Sequence, residues 1–134
     1  MPYRESSGPL LVSAVGEYVI GSDVVTGRRV WTYELTSSPR SVRIEIEGGK
    51  VFVLHDRLEC LDYLTGVVVW AVDVPSDYRN GTLLVVDGAV VVGALGAVAC
   101  HDAQTGVNRW TDEIKPSGRV ALAVPGRAAQ ADNF

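Results

Sequence analysis

Nowhere in this sequence do apolar residues recur with the period of an amphipathic helix over the ~12 residues that such a helix needs. No apolar run is long enough to span a bilayer, so membrane insertion is not expected. Basic residues are no richer: 12 Lys and Arg stand against 16 Asp and Glu, a net charge of −4. That balance removes the basic footprint by which a nucleic-acid-binding domain is recognised. Cysteine and histidine are sparse at two each, Cys60, Cys100, His55 and His101. Scattered among turns and strand ends, they give neither a zinc site nor the Cα spacing of a disulfide, and the cysteines read as small buried thiols. No metal and no cofactor are expected. Residues 1–9 hold no apolar leader, which predicts a cytoplasmic protein, or a periplasmic or secreted one where a signal peptide has been removed.

What the 134 residues do contain is valine in short runs, separated by turn residues, in a chain that is 47% hydrophobic. This is an all-β composition with enough apolar material for one core. The organising feature is a motif, Asp-x-x-Thr-Gly-x-x-x-Trp, present three times. It places Asp23, Thr26, Gly27 and Trp31 in the first copy, Asp62, Thr65, Gly66 and Trp70 in the second, and Asp102, Thr105, Gly106 and Trp110 in the third. The tryptophans lie 39 and then 40 residues apart, read directly from 31, 70 and 110. A fixed period near 40 belongs to stacked units, and the ~40–45-residue class is the four-stranded propeller blade. The Asp and Thr oxygens suit the backbone of a tight turn, Gly supplies its positive φ, and the Trp fills the gap between blades.

The predicted strands of the second unit are 42–47, 51–55, 58–61 and 67–74, and those of the third are 82–86, 90–95, 97–101 and 108–114. Val42, Ile44 and Ile46 alternate with Arg43, Glu45 and Glu47, which predicts a half-buried strand. The blades thus span roughly 10–35, 41–74 and 80–114, within a repeat region of 10–124 that follows an N-terminal extension, 1–9. The first blade lacks an innermost strand, while 120–124 supplies one with no blade after it. Residues 125–134 carry no strand pattern and are expected as a tail. Propellers close with four to eight blades, and open sheet edges are avoided. Three blades therefore predict a six-bladed homodimer in which each copy donates 120–124 to the other's first blade. A piece of a longer chain, or half of a heteromeric ring, accounts for the same deficit.

With these residues in view, the chain resembles the quinoprotein-dehydrogenase-type (PQQ-like) β-propeller repeat family. Its tryptophan-docking motif extends Ala-x-Asp-x-x-Thr-Gly-x-x-x-Trp, and the Ala position holds Gly21, Cys60 and Cys100, all small. The resemblance implies that the Asp, Thr, Gly and Trp positions are structural and lock neighbouring blades. Enzymatic members carry an adjacent cysteine pair, a calcium or lanthanide site, a catalytic Asp and a Trp beneath the quinone. No adjacent cysteines occur here, and all three tryptophans occupy docking positions, so the resemblance implies fold and not activity. Other members use the ring as a protein-binding scaffold.

Arginine also recurs nine residues after each Trp, as Arg40, Arg79 and Arg119. These loops cross towards the channel mouth, where a ring of guanidinium groups would suit carboxylates or phosphates. Glu34, Asp73 and Glu113 recur as well and could instead hold the arginines in ion pairs. Asn80-Gly81-Thr82 matches a glycosylation acceptor and reads as a turn into a strand. No Ser-His-Asp order or glycine-rich phosphate loop is present. The expected function is a non-catalytic scaffold that binds itself and another protein. The alternative is a propeller that takes small anions, acidic peptides or sugars at the channel or between blades.

Overall fold

The computed structural model describes residues 9–36, 41–74, 81–114 and 118–130, and every regular element among them is a strand. The first sheet holds β1 (Leu10–Val15), β2 (Tyr18–Asp23) and β3 (Arg29–Glu34). The second holds β4 (Arg43–Glu47), β5 (Lys50–Leu54), β6 (Arg57–Asp62) and β7 (Val68–Asp73). The third holds β8 (Thr82–Val86), β9 (Ala89–Ala94), β10 (Ala97–Asp102) and β11 (Asn108–Glu113). A closing hairpin joins β12 (Leu122–Val124) to β13 (Arg127–Ala129). Each sheet is an antiparallel meander in chain order. The architecture is the expected one: three consecutive all-β blades, the first without an inner strand.

The sheets stack face to face, and the middle one is buried on both sides. Side chains alternate across a strand, so β5 serves two cores at once. Val51 and Val53 join Leu10, Val19, Trp31 and Leu61 between the first and second sheets. Phe52 and Leu54 join Leu58, Trp70, Val85 and Val92 between the second and third. Each such fully buried side chain stabilises the fold by about 1.5–3 kcal/mol. The Phe52 and Trp70 rings lie 6.2 Å apart at 49°, a tilted aromatic pair.

Two local expectations change. The alternation of Val42, Ile44 and Ile46 with Arg43, Glu45 and Glu47 predicts a half-buried strand. Val42, just before the strand, and Ile44 do pack on the first core, but Ile46 is exposed and Glu45 is half-buried. Glu45 lies against β8, where it accepts from the Val85 amide at 3.2 Å. An innermost strand is flanked by the next blade, so its charged side does not face open water. The tail expectation also changes, because Arg127–Ala129 is a strand paired with Leu122–Val124. The Pro125-Gly126 step makes that turn, with Gly126 at φ 83°. Residues 131–134 of the expected tail lie outside the described residues.

Candidate functional site: the joints between sheets

The turns that follow β2, β6 and β10 are built the same way three times. The Asp23 carboxylate accepts from the amides of Val25 (2.8 Å) and Thr26 (3.2 Å). Asp102 does so from Gln104 (2.8 Å) and Thr105 (3.1 Å). Asp62 takes the Thr65 amide at 3.0 Å and the Thr65 hydroxyl at 2.8 Å. Each threonine hydroxyl then accepts from the amide two residues on, at 3.2 Å for Arg28, Val67 and Val107. Gly27, Gly66 and Gly106 sit at φ 75°, 73° and 79°, where any other residue is strained. The Arg109 guanidinium, 2.7 Å from the carboxylate, holds Asp102 below the usual range, helped by the turn amides.

Two tryptophans use these turns as seats. Trp31 donates its indole N–H to the Tyr63 carbonyl at 2.9 Å, and Trp70 donates to the Ala103 carbonyl at 2.9 Å. Their rings lie flat enough on glycine that a Cβ at Gly66 would come 2.4 Å from Trp31, and one at Gly106 2.5 Å from Trp70. A Cβ at Gly21 would also strike Trp31 at 2.4 Å, which explains the small residue there. Trp31 and Trp70 are 8% and 9% exposed. Trp110, in the same place of the third motif, is 49% exposed. At the opposite face of the stack, nothing lies within 4 Å of a Cβ placed on Gly27. So the structure brings the motif residues together in two complete joints, and leaves Trp110 and the Asp23–Gly27 turn on outer faces.

The first joint holds a polar cluster that sequence reading did not find. The buried Glu59 carboxylate accepts from the Tyr33 hydroxyl at 2.5 Å across the joint and lies 2.5 Å from His55 Nε2. Burial pushes the Glu59 carboxyl up, but hydrogen bonds from His55 and Tyr33 and the nearby Arg57 outweigh it and hold it below its ordinary value. Burial, then the bond to Glu59, pushes the Tyr33 phenol up to about 12. The available signals were a single acid inside the apolar strand Leu58-Glu59-Cys60-Leu61 and a tyrosine with no counterpart in the other repeats. Tyr63 adds a second bridge: its hydroxyl accepts from the Leu10 amide at 2.6 Å and donates to the Leu10 carbonyl at 2.9 Å. His101 is likewise tied down, its Nδ1 3.0 Å from the Gly106 carbonyl. Burial raises the Cys60 thiol to about 11, so it is an inert packing group.

Of the three recurring arginines, Arg40 and Arg79 lie outside the described residues, and Arg119 lies in the segment leading to β12. Asp73, one of the acids weighed as their partner, takes Arg57 at 3.0 Å. The charged groups found near the inner strands are others. Arg127 bridges the Glu45 carboxylate and the Val85 carbonyl, the latter at 2.6 Å, and so pins the closing hairpin across β4 and β8. Arg43 donates to the Gly81 carbonyl at 3.1 Å. Among the described residues, no group of three or more His, Cys, Asp or Glu converges as a metal site.

Known proteins share this fold. The family described as outer membrane protein assembly factor BamB matches residues 5–133. The quinohemoprotein alcohol dehydrogenase ADH-IIG of Pseudomonas putida is 30% identical over 127 residues, covering 77% of this chain and 18% of the dehydrogenase. The outer membrane protein assembly factor BamB of Nitrosomonas eutropha is 27% identical over 133 residues, covering 87% of this chain and 32% of that protein. The crystal structure of BamB from Moraxella catarrhalis aligns with a TM-score of 0.66 at 29% identity, over 87% of this chain and 36% of that one. The chain therefore spans less than a third of either curated relative. The resemblance carried by the motif and its spacing is borne out: the chain belongs to the BamB family of PQQ-like β-propeller repeat proteins.

Proposed function

We propose that the chain is a non-catalytic propeller module that binds protein and self-assembles, each copy lending residues 120–124 to the first sheet of another. The observation that carries this reading is the mismatch in strand number. The first sheet has three strands in the order β1-β2-β3, so the inner edge of β1 has no strand beside it among the described residues. Such an edge is a template for another strand. The hairpin that keeps β12 meanwhile has only three register pairs, Leu122 with Ala129, Ala123 with Ala128 and Val124 with Arg127. Three register pairs and the Arg127 contacts to β4 and β8 hold that hairpin, whereas a fourth strand on a three-stranded sheet joins an existing core. Exchange therefore trades a weak pairing for a strong one. Interaction with a further protein is supported by kinship with an outer membrane protein assembly factor.

Native mass spectrometry and hydrogen exchange test this together. The expected result is a mass of twice 14.4 kDa, with slowed exchange at the amides of Leu10–Val15 as the dimer forms. A single-chain mass at every concentration would end self-assembly. A dimer whose Leu10–Val15 amides exchange as fast as the protomer's would end strand lending alone.

A further inference from the structure

We infer that Trp110 of one copy docks on the Asp23–Gly27 turn of a second copy, with its indole N–H donated to the Val24 carbonyl and its ring laid on Gly27. This rests on the self-assembly reading above and names the contact that reading leaves open. The joint is already made twice inside the chain, each time from the same parts. The acceptor is the carbonyl directly after the motif aspartate, Tyr63 for Trp31 and Ala103 for Trp70. The platform is the motif glycine, Gly66 and then Gly106. In the first motif those positions are Val24 and Gly27.

The unused seat is preformed. Asp23 takes the amides of Val25 and Thr26, the Gly27 amide donates to the Asp23 carbonyl at 2.8 Å, and Gly27 holds φ 75° like the two occupied seats. The Val24 amide is directed to the Pro9 carbonyl at 3.1 Å, as those of Tyr63 and Ala103 are to the Gly49 and Gly88 carbonyls at 3.0 and 2.9 Å. The turn therefore needs no rearrangement to accept a ring, and binding costs little ordering. Around it, Leu11 is 57% exposed, while Val51, in the matching row of the second sheet, is 0% exposed. Leu11 thus holds a core position that no sheet covers among the described residues.

The partner committed to is a second copy because the two outer faces are the two halves of one joint. Trp110 projects from one face, and its seat lies on the other, so the contact is head-to-tail between unlike faces. Such a contact closes into a ring if the rotation per copy allows it. Two such joints, one at each junction, are compatible with β12 entering the partner's first sheet. A half-exposed tryptophan entering a preformed apolar seat is also the usual chemistry of an interface hot spot.

Sedimentation of the full chain tests it with two variants, Trp110→Ala and Gly27→Ala. Trp110→Ala removes the knob, and Gly27→Ala puts a methyl where the ring would lie. Denaturant unfolding of each dilute protomer confirms that it folds. Each variant alone is expected to weaken association by about tenfold to a hundredfold. An equimolar mixture is expected to recover part of it, since one intact joint forms between Trp110 of the Gly27→Ala chain and Gly27 of the Trp110→Ala chain. The Trp110 emission of the native chain should shift to the blue on association. Association that is equal in native and variant chains overturns the inference and leaves self-assembly standing. A native chain that stays monomeric at every concentration overturns both.

Discussion

Trp70 and Trp110 stand at the same position of the same motif, each in the outer strand of a four-stranded sheet. One is 9% exposed and the other 49%. In the outer strand of the middle sheet, β7, Trp70 is buried and Ala71 and Val72 half-buried, whereas the matching strand of the third sheet, β11, is exposed along its whole length. The turns do not share this difference, since their Asp, Thr and Gly bonds form in all three copies. The turn is therefore a local device, complete in about five residues, while the tryptophan is a tertiary one that waits for the next sheet.

The strongest way to break that contrast is to truncate both rings. Trp70→Ala should destabilise the protomer by about 4 kcal/mol, because it removes a buried aromatic and leaves a cavity beside Phe52. Trp110→Ala should cost below about 1 kcal/mol in protomer dilute enough not to associate. Denaturant unfolding followed by circular dichroism reads both. Equal losses would mean that the difference in burial carries no energy.

A second contrast separates the first joint from the second. The place of Glu59 is taken in the third sheet by Ala99, so among the described residues the second joint has no buried acid at this position. Glu59→Ala strands His55 and the Tyr33 hydroxyl and should cost about 3 kcal/mol. The pH dependence follows from the directions of the two shifts. The Glu59 carboxyl is held below its ordinary value, so its contribution is full above about pH 4.3 and is lost as pH falls through the folded value. The Tyr33 phenol is raised to about 12, so its contribution is full below about pH 10 and is lost as pH rises from there towards 12. Melting temperature against pH should fall at both ends in the native chain, and the acid limb should flatten in Glu59→Gln.

The blades were legible because their signals are local or periodic. Asp62, Thr65 and Gly66 announce a turn by chemistry that acts within four residues, and the 39- and 40-residue steps announce the stack. The missing inner strand of the first sheet could be read by counting. What could not be read was whatever depends on pairs far apart in the chain. Glu59 meets Tyr33 across 26 positions, and Arg127 meets Glu45 across 82. Neither pair recurs, so the repeat gives no help with them. In β4, alternation alone cannot say whether the polar side meets water or the next sheet. Strand β13 was missed because Arg127-Ala128-Ala129 has no β-branched residue, although Pro125-Gly126 before it is a turn signal.

Glycine gives a finer test of occupied against unoccupied seats. Alanine at Gly66 meets both a positive φ and the Trp31 ring, and should cost about 3 kcal/mol. Alanine at Gly27 meets the positive φ alone and should cost about 1 kcal/mol in the protomer. The difference between the two, measured by denaturant unfolding under dilute conditions, isolates the contact with the ring from the conformational strain. If Gly27→Ala proves as damaging as Gly66→Ala, the seats are distinguished by something other than the tryptophan above them.

The smallest effect expected is at the closing hairpin, where Arg127 ties β13 to Glu45 and to the Val85 carbonyl. The pair is partly exposed, so solvent screens it, and Arg127→Gln should lower global stability by about 0.5 kcal/mol. The local effect should be larger than the global one. Besides three register pairs and the Thr82 hydroxyl donated to the Val120 carbonyl at 2.7 Å, the hairpin depends on this latch, so the amides of Leu122–Val124 and Arg127–Ala129 should exchange faster while those of β5 and β9 keep their protection. Because the same hairpin must open before residues 120–124 can pair with another copy, Arg127→Gln should also speed dimer formation. Faster exchange without faster association would place the barrier to assembly somewhere other than in this latch.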